Sequence, residues 1–340
     1  MMRHQLKHCV VLCTFLLMTH VGAGEAQVIE AVGSRALGMG GAFVAVATDS
    51  SATWWNPGAL AAGPFLDLAI GRATTESAGE PPARRDTASW FSVATPPFGF
   101  SYYRLRLTDI QPVDPTVTQS VNRQDRRAGV PVRSLAASQL GVTLVHTLFQ
   151  GIHAGATLKY VRGTLRTASE DGVLPTRDLL GRGDDLDGGT GDGVFDADLG
   201  VIGVAGAFRA GLLVRNAFES ELENEAGITR LERQFRVGGA YDAAALGGVP
   251  LVIAVDLDLS ATPTASGERR NIAVGAERWL WSRRLSVRGG ARFNTAGARE
   301  RAATAGVSVA VRAGLFLDAH VVGGGGEDDR GWGVAARVSF

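Results

Sequence analysis

The chain has 340 residues, 45% hydrophobic and 20% charged, with 45 glycines and a formal net charge of zero. Glycine stands at nearly twice its usual ~7% share, and charge lies below the usual ~25%. A balanced charge supplies no long-range field to gather a polyanion, which argues against nucleic acid as a partner.

The first element is a targeting segment. Arg3 and Lys7 precede an apolar stretch at residues 10–18, too short to anchor in a bilayer. Small residues follow at cleavage spacing, Val21-Gly22-Ala23 or Gly24-Glu25-Ala26. Residues 1–23 therefore read as a secretory signal peptide, with cleavage after 26 as the other position. Cys9 and Cys13 both fall inside it, and bulky Leu12 before Cys13 argues against a lipoprotein anchor. The remaining chain has no cysteine, hence no disulfide framework, thiolate metal site or cysteine nucleophile. It carries 32 basic and 34 acidic side chains, a net charge of −2.

Residues 33–60 are rich in small side chains and end in Asn56-Pro57. Gly38 and Gly40 suggest a phosphate loop, but Phe43 stands where a dinucleotide fingerprint needs Gly or Ala, and no Gly-Lys-Ser/Thr follows. Asp49-Ser50-Ser51-Ala52 reads as a helical turn that stops before Pro57.

From Phe65 onward apolar residues alternate with polar or tiny ones, the period of a strand. Leu251, Ile253, Val255, Leu257 and Leu259 share one face; Asp256, Asp258 and Ser260 share the other. Fourteen strands are expected, at residues 65–72, 87–95, 98–107, 135–148, 152–166, 194–204, 206–216, 233–243, 250–260, 270–280, 283–294, 302–312, 313–322 and 331–340. Their connections alternate. Residues 73–86, 108–134, 167–193, 217–232, 261–269, 295–301 and 323–330 are long and polar, whereas those between them are short, such as Pro96-Pro97 and Trp281-Ser282. That alternation, with an even strand count, is the pattern of an all-β transmembrane antiparallel barrel with short periplasmic turns. Only a closed sheet lets strands satisfy every backbone group in hydrocarbon. No later segment has the continuous apolar run of a membrane helix; residues 134–158 lack Asp, Glu, Lys and Arg but carry polar residues at roughly alternate places. Gly238, Gly275 and Gly306 fall on the expected inner face. So do Arg209, Arg215, Arg236, Arg288, Arg292 and Arg337, with Asp196, Asp198, Asp256, Asp258, Glu277 and Asp318, which are expected to pair across strands.

Candidate chemistry is sparse. Asp184 to Gly193 is the one acidic cluster with metal-like spacing, with Asp185, Asp187 and Asp192 as oxygen ligands for calcium. Gly189 occupies a ligand position and the closing Glu is absent, so a solvated extracellular loop is the favoured reading. His146, His153 and His320 form no i, i+4 pair, and no Ser/His/Asp or paired-carboxylate arrangement stands out, so neither an enzyme nor a cofactor is expected.

The block Arg35 to Ala47, with Asp49, Ser51-Ala52 and Trp55-Asn56-Pro57, resembles the opening of the PorV/PorQ-like outer-membrane proteins, which are related to the FadL long-chain fatty acid transporters. Gly58-Ala59 inverts the usual Ala-Gly of that pattern. The resemblance implies residues 24–63 as a hatch inside a barrel formed by residues 64–340, in a bacterial outer membrane. It also makes Gly38, Gly40, Phe43, Trp54, Trp55, Asn56 and Pro57 the residues of the hatch, and Phe340 the aromatic end read by the barrel assembly machinery. Besides a purely structural role in the outer membrane, two functions are compatible with it. A small hydrophobic molecule could pass through a pocket beside the hatch that touches Phe43, Trp54 and Trp55, or the long loops could hold a secreted or surface protein, through residues such as Asp109, Arg123, Asp125, Arg126 and Arg127.

Overall fold

A computed structural model describes residues 32–78, 83–110, 129–170, 174–224, 227–264, 267–297, 299–324 and 329–340. The targeting segment, its two cysteines and the loop residues Arg123, Asp125, Arg126 and Arg127 lie outside the described residues.

In chain order the strands are β1 (Asp67–Ser77), β2 (Ala83–Thr95), β3 (Phe98–Ile110), β4 (Val130–Phe149), β5 (Ile152–Glu170), β6 (Asp192–Ala205), β7 (Phe208–Arg215), β8 (Glu221–Asn224), β9 (Gly227–Arg230), β10 (Gln234–Asp242), β11 (Leu251–Asp258), β12 (Thr262–Thr264), β13 (Gly267–Arg269), β14 (Asn271–Leu280), β15 (Leu285–Asn294), β16 (Arg301–Arg312), β17 (Leu315–Gly324) and β18 (Asp329–Ser339). Among the described residues, fourteen of these close into one antiparallel barrel, each hydrogen-bonded to its neighbours in sequence order. β1 seals against β18, with Asp67 opposite Ser339 and Ser77 opposite Asp329. All fourteen strands expected from alternation are present. β8–β9 and β12–β13 form two small hairpins within the long connections 217–232 and 261–269.

The polarity of the wall is the reverse of a soluble protein's. On β11, Ile253, Val255 and Leu257 are exposed, whereas Ala254 and Asp256 are buried. A bilayer needs only ~9–11 tilted residues per strand, yet β4 and β5 run for 20 and 19 residues. Their ends beside the long connections therefore project past the apolar slab.

One element was not legible as such. Within the polar connection 167–193, Thr176–Asp184 is a helix, lying on the outer surface of the wall. Its Leu179 and Leu180 bury against Ala83 of β2, Ile110 of β3 and Val130 and Val132 of β4. Asp184 fixes its end, accepting from Arg85 Nη1 at 2.8 Å and Thr108 Oγ1 at 2.6 Å. Nine residues hold too few turns for a 3.6-residue period to emerge.

Candidate functional site

Residues 32–63 occupy the barrel interior. They fold as a helical turn, Ser34–Gly38, a second, Ala52–Trp55, and a 3-10 turn, Pro57–Ala62. Gly40 and Gly41 carry φ of 70° and 86°, left-handed values that admit glycine readily and reverse the chain after the first turn. Asn56 closes the second reversal: its Oδ1 accepts from Gly58 N at 3.1 Å, while its Nδ2 donates to Val44 O at 2.8 Å and to Val201 O of β6 at 3.0 Å. Pro57, at the start of the 3-10 turn, has its φ preset for such a position.

The wall meets this segment with glycines. A Cβ on Gly275 of β14 would lie 2.3 Å from Met39 O, and one on Gly290 of β15 would lie 2.3 Å from Met39 C. Opposite, a Cβ on Gly155 of β5 would approach Pro57 C to 2.5 Å. Gly38 sits against the backbone of Gly306 on β16, and Thr304 Oγ1 donates to Gly38 O at 3.0 Å. Backbone thus lies directly on backbone, which only missing side chains permit.

Charge then ties the segment down. Arg35 Nη2 lies 2.6 Å from Glu277 Oε2, and its Nη1 lies 3.4 Å from Asp49 Oδ2. Burial opposes the Arg35 charge, but Glu277 and Asp49 outweigh it and hold the guanidinium pKa above its ordinary value. Glu277 also accepts from Arg288 Nε at 2.8 Å; Arg288 and Arg337 both reach Asp318, and Arg337 reaches Asp67 at 3.4 Å. The inward charges expected to pair across strands do so here in one alternating chain. Asp256 Oδ2 accepts from the backbone N–H of both Phe43 and Val44 at 2.8 Å.

The aromatic residues singled out in the sequence separate into two settings. Phe43 and Trp55 pack edge to face, with ring centroids 6.1 Å apart, and are fully buried. Trp55 Nε1 donates to Val32 O at 2.9 Å. Trp54 instead stacks under Arg215, 4.2 Å from the guanidinium carbon, and edge-on to Tyr103 at 4.9 Å. It lines a cavity of about 60 Å³ on the long-loop side, with Leu105, Leu107, Val161, Leu222 and Leu231 as apolar walls and the buried Lys159 and Arg215 also in its lining. Phe43 and Trp55 do not reach this cavity, because both rings are consumed in seating the segment. Tyr103, Lys159 and Arg215 escaped notice as a group. Lys159, the only lysine after residue 23, sits at an inward position of β5 and lies 2.5 Å from Asp198 Oδ1.

A second cavity, of about 500 Å³, opens on the short-turn side. Arg35, Asp49, Arg209, Glu277 and Arg337 give it a charged lining, with Trp279 and Phe316 beside them. The same segment lines both spaces, through Trp54 in the first and Arg35, Thr48 and Asp49 in the second.

The remaining candidates are dispersed. Asp192 accepts from the backbone N–H of Gly193 at 2.7 Å and Glu223 at 2.8 Å. Asp185 and Asp187 follow the outer helix, and among the described residues no three His, Cys, Asp or Glu side chains are grouped as a metal ion would need. His320 is buried on the inner face of β17, and His153 Nδ1 lies 2.9 Å from Thr147 Oγ1. Phe340 is 66% exposed, its backbone paired with Leu66 at 2.8 and 3.1 Å.

Several solved structures share this architecture. The toluene transporter TbuX of Ralstonia pickettii superposes with a TM-score of 0.63 at 15% identity, covering 92% of this chain and 99% of that one. The toluene transporter TodX of Pseudomonas putida gives 0.60 at 12% identity, covering 93% and 98%. The CymD monoaromatic hydrocarbon channel gives 0.63 at 12% identity, covering 93% and 99%. At these identities the likeness is one of fold. A family model described as "F plasmid transfer operon, TraF, protein" matches residues 97–258, less than half of the chain. No curated protein sequence matches.

Proposed function

We propose that this barrel passes a small hydrophobic solute across a bacterial outer membrane, with residues 33–61 as a gate that must shift for passage. The observation that supports this reading is that the segment contributes lining residues both to the cavity beside Trp54 and to the larger space on the short-turn side. The cavity beside Trp54 has about 60 Å³, well short of the ~150 Å³ that holds a benzene. A ring-sized solute therefore fits only if the walls of this cavity, Trp54 among them, move apart. Its largely apolar walls with a few polar groups among them have the chemistry of a capture site for such a molecule. The fold shared with hydrocarbon transporters and channels supports the FadL-like side of the sequence resemblance.

The test is reconstitution. Vesicles containing the full chain should take up toluene faster than protein-free vesicles or vesicles with an unrelated porin. Deleting residues 33–61 should leave a folded, heat-modifiable barrel whose small-solute conductance in planar bilayers is raised. Unchanged conductance in a folded barrel, with no toluene uptake by the full chain, would overturn the proposal and favour attachment of a secreted or surface protein through the long loops.

A further inference from the structure

The outer wall carries a feature that a solute path inside the barrel does not use. On most strands the lipid-facing residues are apolar for the length of the membrane band, as on β18 and just past its end, where Trp332, Val334 and Phe340 are exposed. On β3 the outward run of Phe98, Phe100 and Tyr102 ends early, at exposed Arg104. On β1 outward Ile70 is followed by exposed Arg72.

Register brings these interruptions together. Arg72 lies opposite Ser89, and Ser89 lies opposite Arg104, so two guanidiniums flank a hydroxyl across three adjacent strands. Neither arginine has an ion pair or hydrogen bond among the described residues. In the other direction the same row becomes apolar: Arg72 faces Val334, which faces Ala319, which faces Val307. The small residues on that side leave a dent in the wall, an open groove of about 960 Å³ that spans β1–β3 and β16–β18. One end of the groove is cationic and the rest is hydrocarbon-lined.

Depth can be read from the aromatics. Trp332 ends the outward band of β18 on the long-loop side and pairs with Thr74, one outward step beyond Arg72. Tryptophan marks the membrane–water interface, so Arg72 lies just inside the outer boundary, within snorkelling reach of the headgroups. A guanidinium facing lipid without a counter-charge is costly, and the bidentate geometry of arginine suits phosphate.

We infer that this groove holds an anionic, phosphate-bearing lipid of the outer leaflet. Its phosphate sits between Arg72, Ser89 and Arg104, and an acyl chain lies along the apolar side toward β16. Charge complementarity selects the head, and the groove's apolar half accounts for the tail. The site lies outside the lumen and is independent of gating.

The experiment is lipid retention by the folded full chain in detergent. The barrel is mixed with dioleoyl phosphatidic acid or dioleoyl phosphatidylcholine, passed through gel filtration, and examined by native mass spectrometry. Phosphatidic acid should be retained at about one molecule per barrel, and phosphatidylcholine much less. Arg72→Gln/Arg104→Gln should lower retention at least ~tenfold, as loss of charge-assisted bonds predicts, while heat-modifiable migration stays unchanged. Arg278→Gln, an outward arginine at the opposite end of the wall, should retain lipid like the parent. Equal retention by parent and double variant, or of both lipids, would overturn the proposal. So would displacement by equimolar inorganic phosphate, which would mark a free-anion site, or a barrel dimer in place of bound lipid.

Discussion

Arg35, in the first helical turn, reaches across the barrel lumen to Glu277 of β14, Nη2 to Oε2 at 2.6 Å, although the two are 242 positions apart in the chain. This pair joins the internal segment to the wall. It also sets up an asymmetry that can be tested, because Glu277 keeps Arg288 as a partner when Arg35 is removed.

Arg35→Met should therefore loosen the segment and spare the wall. The expected loss is about 1.5–3 kcal/mol, the scale of a hydrogen bond to a charged group. A single cysteine at the fully buried Ala59 reports it. Labelling by a water-soluble maleimide should accelerate at least ~tenfold, each tenfold being ~1.4 kcal/mol. The temperature at which the barrel loses heat-modifiable migration should not change. Equal labelling rates would show that the ion pair does not hold the segment.

Gly290→Ala tests the backbone-on-backbone contact. Its Cβ would meet Met39 C at 2.3 Å, whereas a Cβ on Gly239, which faces outward on β10, meets nothing within 4 Å. Overpacking of this kind costs about 1–3 kcal/mol. Gly290→Ala should expose the Ala59→Cys reporter, and Gly239→Ala should leave it protected. A protected reporter in both variants would mean that the segment does not lie against β15.

The neighbouring residues Val255 and Asp256 separate lipid face from lumen. Val255→Arg should destabilise the barrel by roughly 2–4 kcal/mol if it lies near the midplane, measured by unfolding in detergent. Asp256→Asn weakens two bonds from the Phe43 and Val44 amides, so its damage should appear in segment labelling and much less in barrel unfolding. Identical profiles for the two substitutions would sink the in/out assignment.

Deleting Phe340 addresses assembly. The ring is exposed and adds no lumen contact, so its removal should cost the finished fold little beyond the two backbone bonds to Leu66 but lower the amount of folded barrel recovered from outer membranes several-fold. Undiminished recovery would show that the terminal aromatic is dispensable for insertion.

Alternation along the chain was enough to locate every barrel strand and, on strands such as β11, the inward face, because the two-residue period is a local property of extended backbone in a wall with two different solvents. Leu251 to Leu259 declares its lipid side with no knowledge of its neighbours. The ion-paired lumen was legible for the same reason, as a surplus of Arg, Asp and Glu at inward positions. The partners were not. That Glu277 serves Arg35, that Gly275 and Gly290 meet Met39, and that Arg72 and Arg104 fall in one row depends on register between strands and on how the N-terminal segment threads the lumen. Sequence spacing carries no signal for either. The outer helix was hidden because one turn-pair of Leu179 and Leu180 looks polar-loop-like until Ile110 and Val132 stand opposite. What the sequence by itself determined is the barrel and its two faces. What only the tertiary structure decided is which side chains meet across the lumen and along the wall, since those contacts arise from closure of the sheet.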